Sequence, residues 1–107
     1  MKTSGKAEAR VHCKNPDSNT LALSGALTFA TAANALAEAG RALAAGMQTR
    51  LDLAGLSGAD SAGLACVLAL IADASRAGRR LIVVNLPEGL RALAQVCGVE
   101  TLLGAGL

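Results

Sequence analysis

The hydrophobic pattern of this chain changes period along its length, and that change restricts the fold more than any other feature. Glu8 to Lys14 alternates, with Ala9, Val11 and Cys13 on one side and Arg10, His12 and Lys14 on the other. A period of two marks a strand with one buried face. The turn formers Asn15-Pro16-Asp17-Ser18-Asn19 follow, and Thr20 to Gly25 reads as the return strand of a hairpin, with Leu21 and Leu23 pointing one way. From Phe29 to Ala45 the apolar positions move to helical spacing, through Phe29, Ala32 or Ala33, Leu36, Ala39 or Gly40, and Leu43. Asn34, Glu38 and Arg41 form the polar stripe of the same helix, which begins near Thr28 or Thr31 and ends near Gly46.

The alternation continues downstream. Thr49 to Ala54 reads as a short strand, Gly55 to Asp60 as a turn-rich loop, and 62–77 as a second helix stopped by Gly78. After Arg79-Arg80, the run Leu81-Ile82-Val83-Val84 suits a strand buried on both faces. Asn85-Leu86-Pro87-Glu88 has the make-up of a helix start, with proline in the first turn and an acid near the positive end of the dipole. Leu90, Leu93, Ala94 and Cys97 form its inward stripe, Gly98 closes it, and Val99, Leu102 and Leu103 in the tail to Leu107 dock on the body. A hairpin followed by helix–strand alternation is an α/β domain. The expected sheet is mixed, mostly parallel and four- to five-stranded, with the helices packed on it.

At 107 residues the chain is expected to be a single domain, 1–107, with 1–7 as a flexible N-terminus. It holds 24 alanines, 18 leucines and one aromatic, Phe29, so the core must be aliphatic. Small apolar side chains bury little area each, and such a domain gains from a partner. A net charge of +2 without clustered Lys/Arg or stacking aromatics argues against nucleic acid. The uncharged stretch from Ser18 to Ala37 is too polar for a transmembrane helix, and the N-terminus lacks the apolar core of a secretory signal. The expectation is a cytoplasmic protein without direct membrane insertion. Cys13, Cys66 and Cys97 are too few and too widely spaced for a disulfide framework or a zinc site, and read as reduced, mostly buried small hydrophobes.

The second helix is the unusual segment, because no charge occurs between Ser61 and Ala72. Steps of 100° place Leu64, Val67, Leu68, Ile71 and Ser75 on a core side and Ala62, Ala65, Cys66 and Ala69 opposite. Alanine as a plain helix former accounts for the second set in one reading. In the other, the small residues make an uncharged platform for a partner protein, adjoining the loop from Ser57 to Ser61. Asp60 and Ser61 are both good N-caps. A hydroxyl at a helix N-terminus is also a favourable place for a phosphate, and capping and modification are compatible.

Catalysis finds little support. In Gly58-Ala59-Asp60-Ser61-Ala62-Gly63 the first glycine lies three residues before the serine, not two as in a nucleophile elbow, and His12 is the only histidine. Phosphate-loop and dinucleotide fingerprints are absent. No cofactor or metal is indicated, and the chain does not read as an enzyme.

Leu51-Asp52-Leu53, a six-residue loop, and Asp60-Ser61-Ala62-Gly63-Leu64 together resemble the signature of STAS domains, the fold of anti-sigma-factor antagonists. In that family the hydroxyl residue matching Ser61 begins a helix and can be phosphorylated by a partner kinase. The opening Leu21-Ala22-Leu23-Ser24-Gly25-Ala26-Leu27-Thr28 and the continuation Gly63-Leu64-Ala65 are similar to the Mla-type STAS subunits of phospholipid-transporting ABC systems, which maintain outer-membrane lipid asymmetry. That resemblance implies a non-catalytic accessory subunit that binds and stabilises the transporter's ATPase, peripheral to the inner membrane. Its contact would comprise Ser57, Asp60, Ser61, Ala62, Ala65, Cys66 and Ala69. The alternative is an antagonist released from an anti-sigma kinase by phosphorylation of Ser61. An apolar face wanting a partner also suits pairing with a second copy, so a homodimer stays open.

Overall fold

A computed structural model describes residues 11–103. The expected flexible segment 1–7, the first residues of the expected strand at Glu8 to Arg10, and the tail from 104 onward lie outside them. Strand β1 (His12–Asp17) is followed by β2 (Thr20–Leu27), helix α1 (Ala32–Ala45), β3 (Arg50–Ala59), α2 (Ser61–Arg76), β4 (Ile82–Val84), α3 (Glu88–Cys97) and a 3-10 turn (Glu100–Leu103). The sheet order is β1-β2-β3-β4, with β1 antiparallel to β2 and the other two pairings parallel. This is the expected mixed, mostly parallel sheet, with four strands.

The sheet is apolar on one face. Leu21, Leu51 and Val83 share one row across β2, β3 and β4, and all three are buried, as are Leu23 and Leu53. The next row, Ala22, Asp52 and Val84, points to the other face and is only half-buried. All three helices contribute to the buried side, through Ala35, Ala39 and Leu43 of α1, Leu64, Val67 and Leu70 of α2, and Leu90 and Ala94 of α3. Fully burying one such leucine is worth about 1.5–3 kcal/mol. The core is built from leucine because the chain has almost nothing larger.

Helix ends follow local chemistry. Gly78 (φ 80°) and Gly98 (φ 72°) adopt the left-handed conformation that ends α2 and α3. Arg79 N–H then donates to Ala74 O (2.8 Å) and Gly78 N–H to Ser75 O (2.9 Å), with the same pattern at Val99 and Gly98. This pairing satisfies carbonyls that the helix leaves free. Gly46, after α1, is extended instead, and the Arg79 guanidinium donates to the carbonyls of Leu43, Gly46 (2.8 Å) and Gln48 (3.4 Å). One side chain thereby caps α1 from the end of α2.

Several expectations need correction. Asn15, Pro16 and Asp17 belong to β1, whose edge position tolerates proline and whose register shifts between Lys14 and Asp17. The run Leu81 to Val84 is buried only at Leu81 and Val83, since β4 is an edge strand on a sheet covered on one side. Phe29 is not on the inward stripe of α1: the helix starts at Ala32, and Phe29 stands 85% exposed in the preceding turn. Cys97 is exposed and Cys13 half-buried, so only Cys66 is a buried cysteine. Leu103 is buried, but Leu102 is exposed on the outer side of the final turn.

Candidate docking site

β3 and α2 meet at Asp60, and the way β3 arrives there decides what is presented. The stretch Gly55 to Ala59, expected as a loop, continues β3 alongside β2. Two register shifts interrupt the pairing, one between Ala22 and Ser24 and one between Gly25 and Ala26. At the second, Leu56 pairs with Gly25 and Gly58 with Ala26, which leaves Ser57 as the extra, exposed residue of a bulge. A glycine-rich strand with bulges has no clean alternation, and for that reason its sequence reads as a turn.

Beyond Ala59 the chain turns directly into α2. Asp60 N–H donates to Leu27 O (3.3 Å), and its backbone carbonyl accepts from Leu64 N–H (3.0 Å). The carboxylate accepts at Oδ1 from Gly63 N–H (3.1 Å), which is the N-cap bond, and at Oδ2 from Phe29 N–H (3.1 Å). Those two bonds, Phe29 first and Gly63 next, hold the Asp60 carboxyl below its usual range. Asp60 therefore ties the start of α2 to the β2–α1 turn. Gly63 permits this closeness: a Cβ there would lie 2.3 Å from Leu27 O.

Of the two N-cap candidates, Asp60 takes the capping role, and Ser61 becomes the first residue of α2, with its side chain exposed. Ala65 is also exposed, one turn on, while Ala62 and Ala69 are half-buried. Cys66 must be removed from the platform. It is 4% exposed and belongs to the core, and burial, with a smaller contribution from the charge of Cys13, raises its thiol to about 11. Ser75, placed on the core side by the sequence, is exposed. The buried arc is Gly63, Leu64, Cys66, Val67, Leu70 and Ala74, because α2 packs against α1 and α3 as well as the sheet. Ahead of the exposed last turn at Asp73, Ser75 and Arg76, the exposed arc is Ser61, Ala65 and Ala72, flanked by half-buried Leu68 and Ala69. It stays free of charge over three turns.

Sequence reasoning missed Phe29 as a member of this surface. Its helical spacing with Leu36 and Leu43 suggested burial, and only the Thr28–Thr31 turn chemistry hinted otherwise. Thr31 Oγ1 accepts from Thr28 N–H (2.9 Å) and donates to Ala26 O (2.8 Å), which sets the helix start three residues later than Phe29 requires. Among the described residues, no group of three or more His, Cys, Asp or Glu could hold a metal, and no helix is long and apolar enough to cross a membrane.

A four-stranded mixed sheet with helices on one face, and a strand that runs through an aspartate cap into a helix whose first three turns carry no charge, is the arrangement of the anti-sigma-factor-antagonist fold. A family model described as "Mlab, STAS domain" matches residues 13–104. The chain belongs to the STAS family. Its fold is similar to SpoIIAA, the anti-sigma factor antagonist, in its unphosphorylated form (TM-score 0.66, 21% identity, covering 85% of this chain and 83% of that one). The phosphorylated form of the Bacillus cell fate determinant SpoIIAA matches similarly (TM-score 0.63, 21% identity, 85% and 86% covered). A structure of SLC26A9 matches 75% of this chain with 16% of its own (TM-score 0.55, 18% identity). No curated protein matches the sequence.

Proposed function

We propose that this STAS domain is a non-catalytic accessory subunit that binds and stabilises the cytoplasmic ATPase of a phospholipid-transporting ABC system. The Mla-type description of the family model that spans residues 13–104 supports the choice of system. The observation that carries the docking reading is the uncharged, exposed start of α2, where Ser61 and Ala65 face solvent beside a cap supplied by Asp60. A lasting assembly favours an apolar contact over a charged one. The protein would then lie in the cytoplasm, at the inner membrane through its partner, and contribute binding without hydrolysis.

A second reading, an antagonist switched by phosphorylation of Ser61, is favoured by one feature: the Asp60 carboxylate takes the cap bond, and the Ser61 side chain is exposed for modification. A phosphate there would add about −1.5 to −2 of charge beside the Asp60 carboxylate and drive a partner off by repulsion and desolvation. Affinity purification from native membranes distinguishes the two. The transporter reading expects an ABC ATPase in stoichiometric amount, lost with Ala65→Arg or Ser61→Glu while the domain melts as wild type. Recovery of a sigma-regulating kinase, with phosphorylated Ser61 controlling release, would replace it.

A further inference from the structure

Phe29 is the only aromatic residue of the chain, and it is 85% exposed. A lone apolar side chain on a mobile loop would mean little. This one sits in a turn whose backbone is tied on both sides. Thr28 N–H is held by Thr31 Oγ1 (2.9 Å), and Thr28 O accepts from the N–H groups of Thr31 (3.0 Å) and Ala32 (2.8 Å). Phe29 N–H is itself held by Asp60 Oδ2 at 3.1 Å. The turn that carries the ring is thus held beside the start of α2 before any partner arrives, which limits the ordering cost of binding to that of the side chain. Aromatic side chains presented in this way dominate interface energetics.

We propose that Phe29 is the anchor of the docking face and seats in an apolar socket, rimmed by Lys or Arg, on the ATPase that binds there. The proposal rests on the reading of the α2 start as a docking surface. The rim follows from charge complementarity: in the segments 28–29 and 57–65, Asp60 is the only charged side chain, and it is anionic. The socket follows from exposure, since a phenyl ring that stands 85% exposed beside the small exposed residues Ser61 and Ala65 needs a concave apolar counterpart to be buried.

The test is a binding titration of the purified domain against the ABC ATPase recovered from native membranes. Phe29→Ala is expected to weaken binding at least about 30-fold and Phe29→Leu less, with both melting within about 4 °C of wild type. Wild-type binding is expected to weaken as salt rises. Phe29→Ala binding within about threefold of wild type, while Ala65→Arg abolishes it, would overturn the anchor and leave the docking reading standing. Salt-independent binding would overturn the basic rim. Failure of the wild-type domain to bind the ATPase would remove the docking reading, and the anchor with it.

Discussion

Two helical glycines should respond in opposite directions to the same substitution, and the sign of each follows from what its new methyl group would meet. At Gly63 an added Cβ lies 2.3 Å from the carbonyl oxygen of Leu27 and 3.2 Å from Leu27 Cγ. A carbon cannot approach a backbone oxygen so closely, so α2 must withdraw by about 1 Å, the gap to ordinary van der Waals contact. The same oxygen accepts the Asp60 N–H bond at 3.3 Å, already long, and withdrawal breaks it. Overpacking costs about 1–3 kcal/mol and the lost hydrogen bond about 1 kcal/mol, while the better helix propensity of alanine returns about 1 kcal/mol. The net loss for Gly63→Ala is about 1–3 kcal/mol, a fall in Tm of about 4–20 °C for a domain of this size. At Gly40, inside α1, nothing lies within 4 Å of the new methyl. Gly40→Ala should therefore stabilise the domain by about 0.5–1 kcal/mol. Thermal and urea unfolding followed by far-ultraviolet circular dichroism, with the two variants side by side, reads both signs. Gly63→Ala melting at or above the wild type would refute the close approach of α2 to β2.

Arg79→Ala strips the hydrogen-bonding cap from the end of α1 and should cost about 1.5–3 kcal/mol, with Arg79→Lys recovering only part because it cannot span separate carbonyls in one plane. Urea midpoints check this, and a neutral result would mean that solvent replaces the guanidinium. Cys66 makes stability fall at alkaline pH. Burial raises its thiol from 9.0 to about 11, so the unfolded chain loses its proton first, and the contribution that is complete below pH 9.0 disappears as pH rises through about 11. Cys66→Ala should flatten that decline relative to its own stability at neutral pH. In thiol labelling of the native protein, Cys97 should react first and Cys66 only on unfolding.

The parts of this fold that were legible in the sequence are those governed by local rules. Period-two alternation located β1 and β2, helical spacing located α1 and α3, and Gly78 and Gly98 marked helix ends that the left-handed backbone then required. Asp60 was identifiable as a cap from its type and place, although only the fold shows that its second oxygen reaches Phe29. What was illegible depends on contacts between distant segments. Cys66 lies on a flank of α2 that an isolated helical wheel leaves open, and it becomes core because helices on the neighbouring sides widen the buried arc. Phe29 fits an inward stripe in number but not in place, since Thr31 delays the helix by hydrogen bonds to Thr28 and Ala26. The β3 bulges conceal strand as loop, because a strand's period is lost wherever an extra residue is inserted.

Those bulges also determine where the domain tolerates a change of length. Residues 52–59 of β3 run beside only 22–27 of β2, so the ladder already absorbs surplus chain just upstream of Asp60. The end of β3 is held independently, by Ala59 opposite Leu27 and by the bond from Asp60 to the Leu27 carbonyl. Excising Ser57 should take up slack without relocating α2, whereas excising a residue after Ala59 would rotate the first turn of α2 by about 100°. Length is forgiving on one side of that junction and fixed on the other.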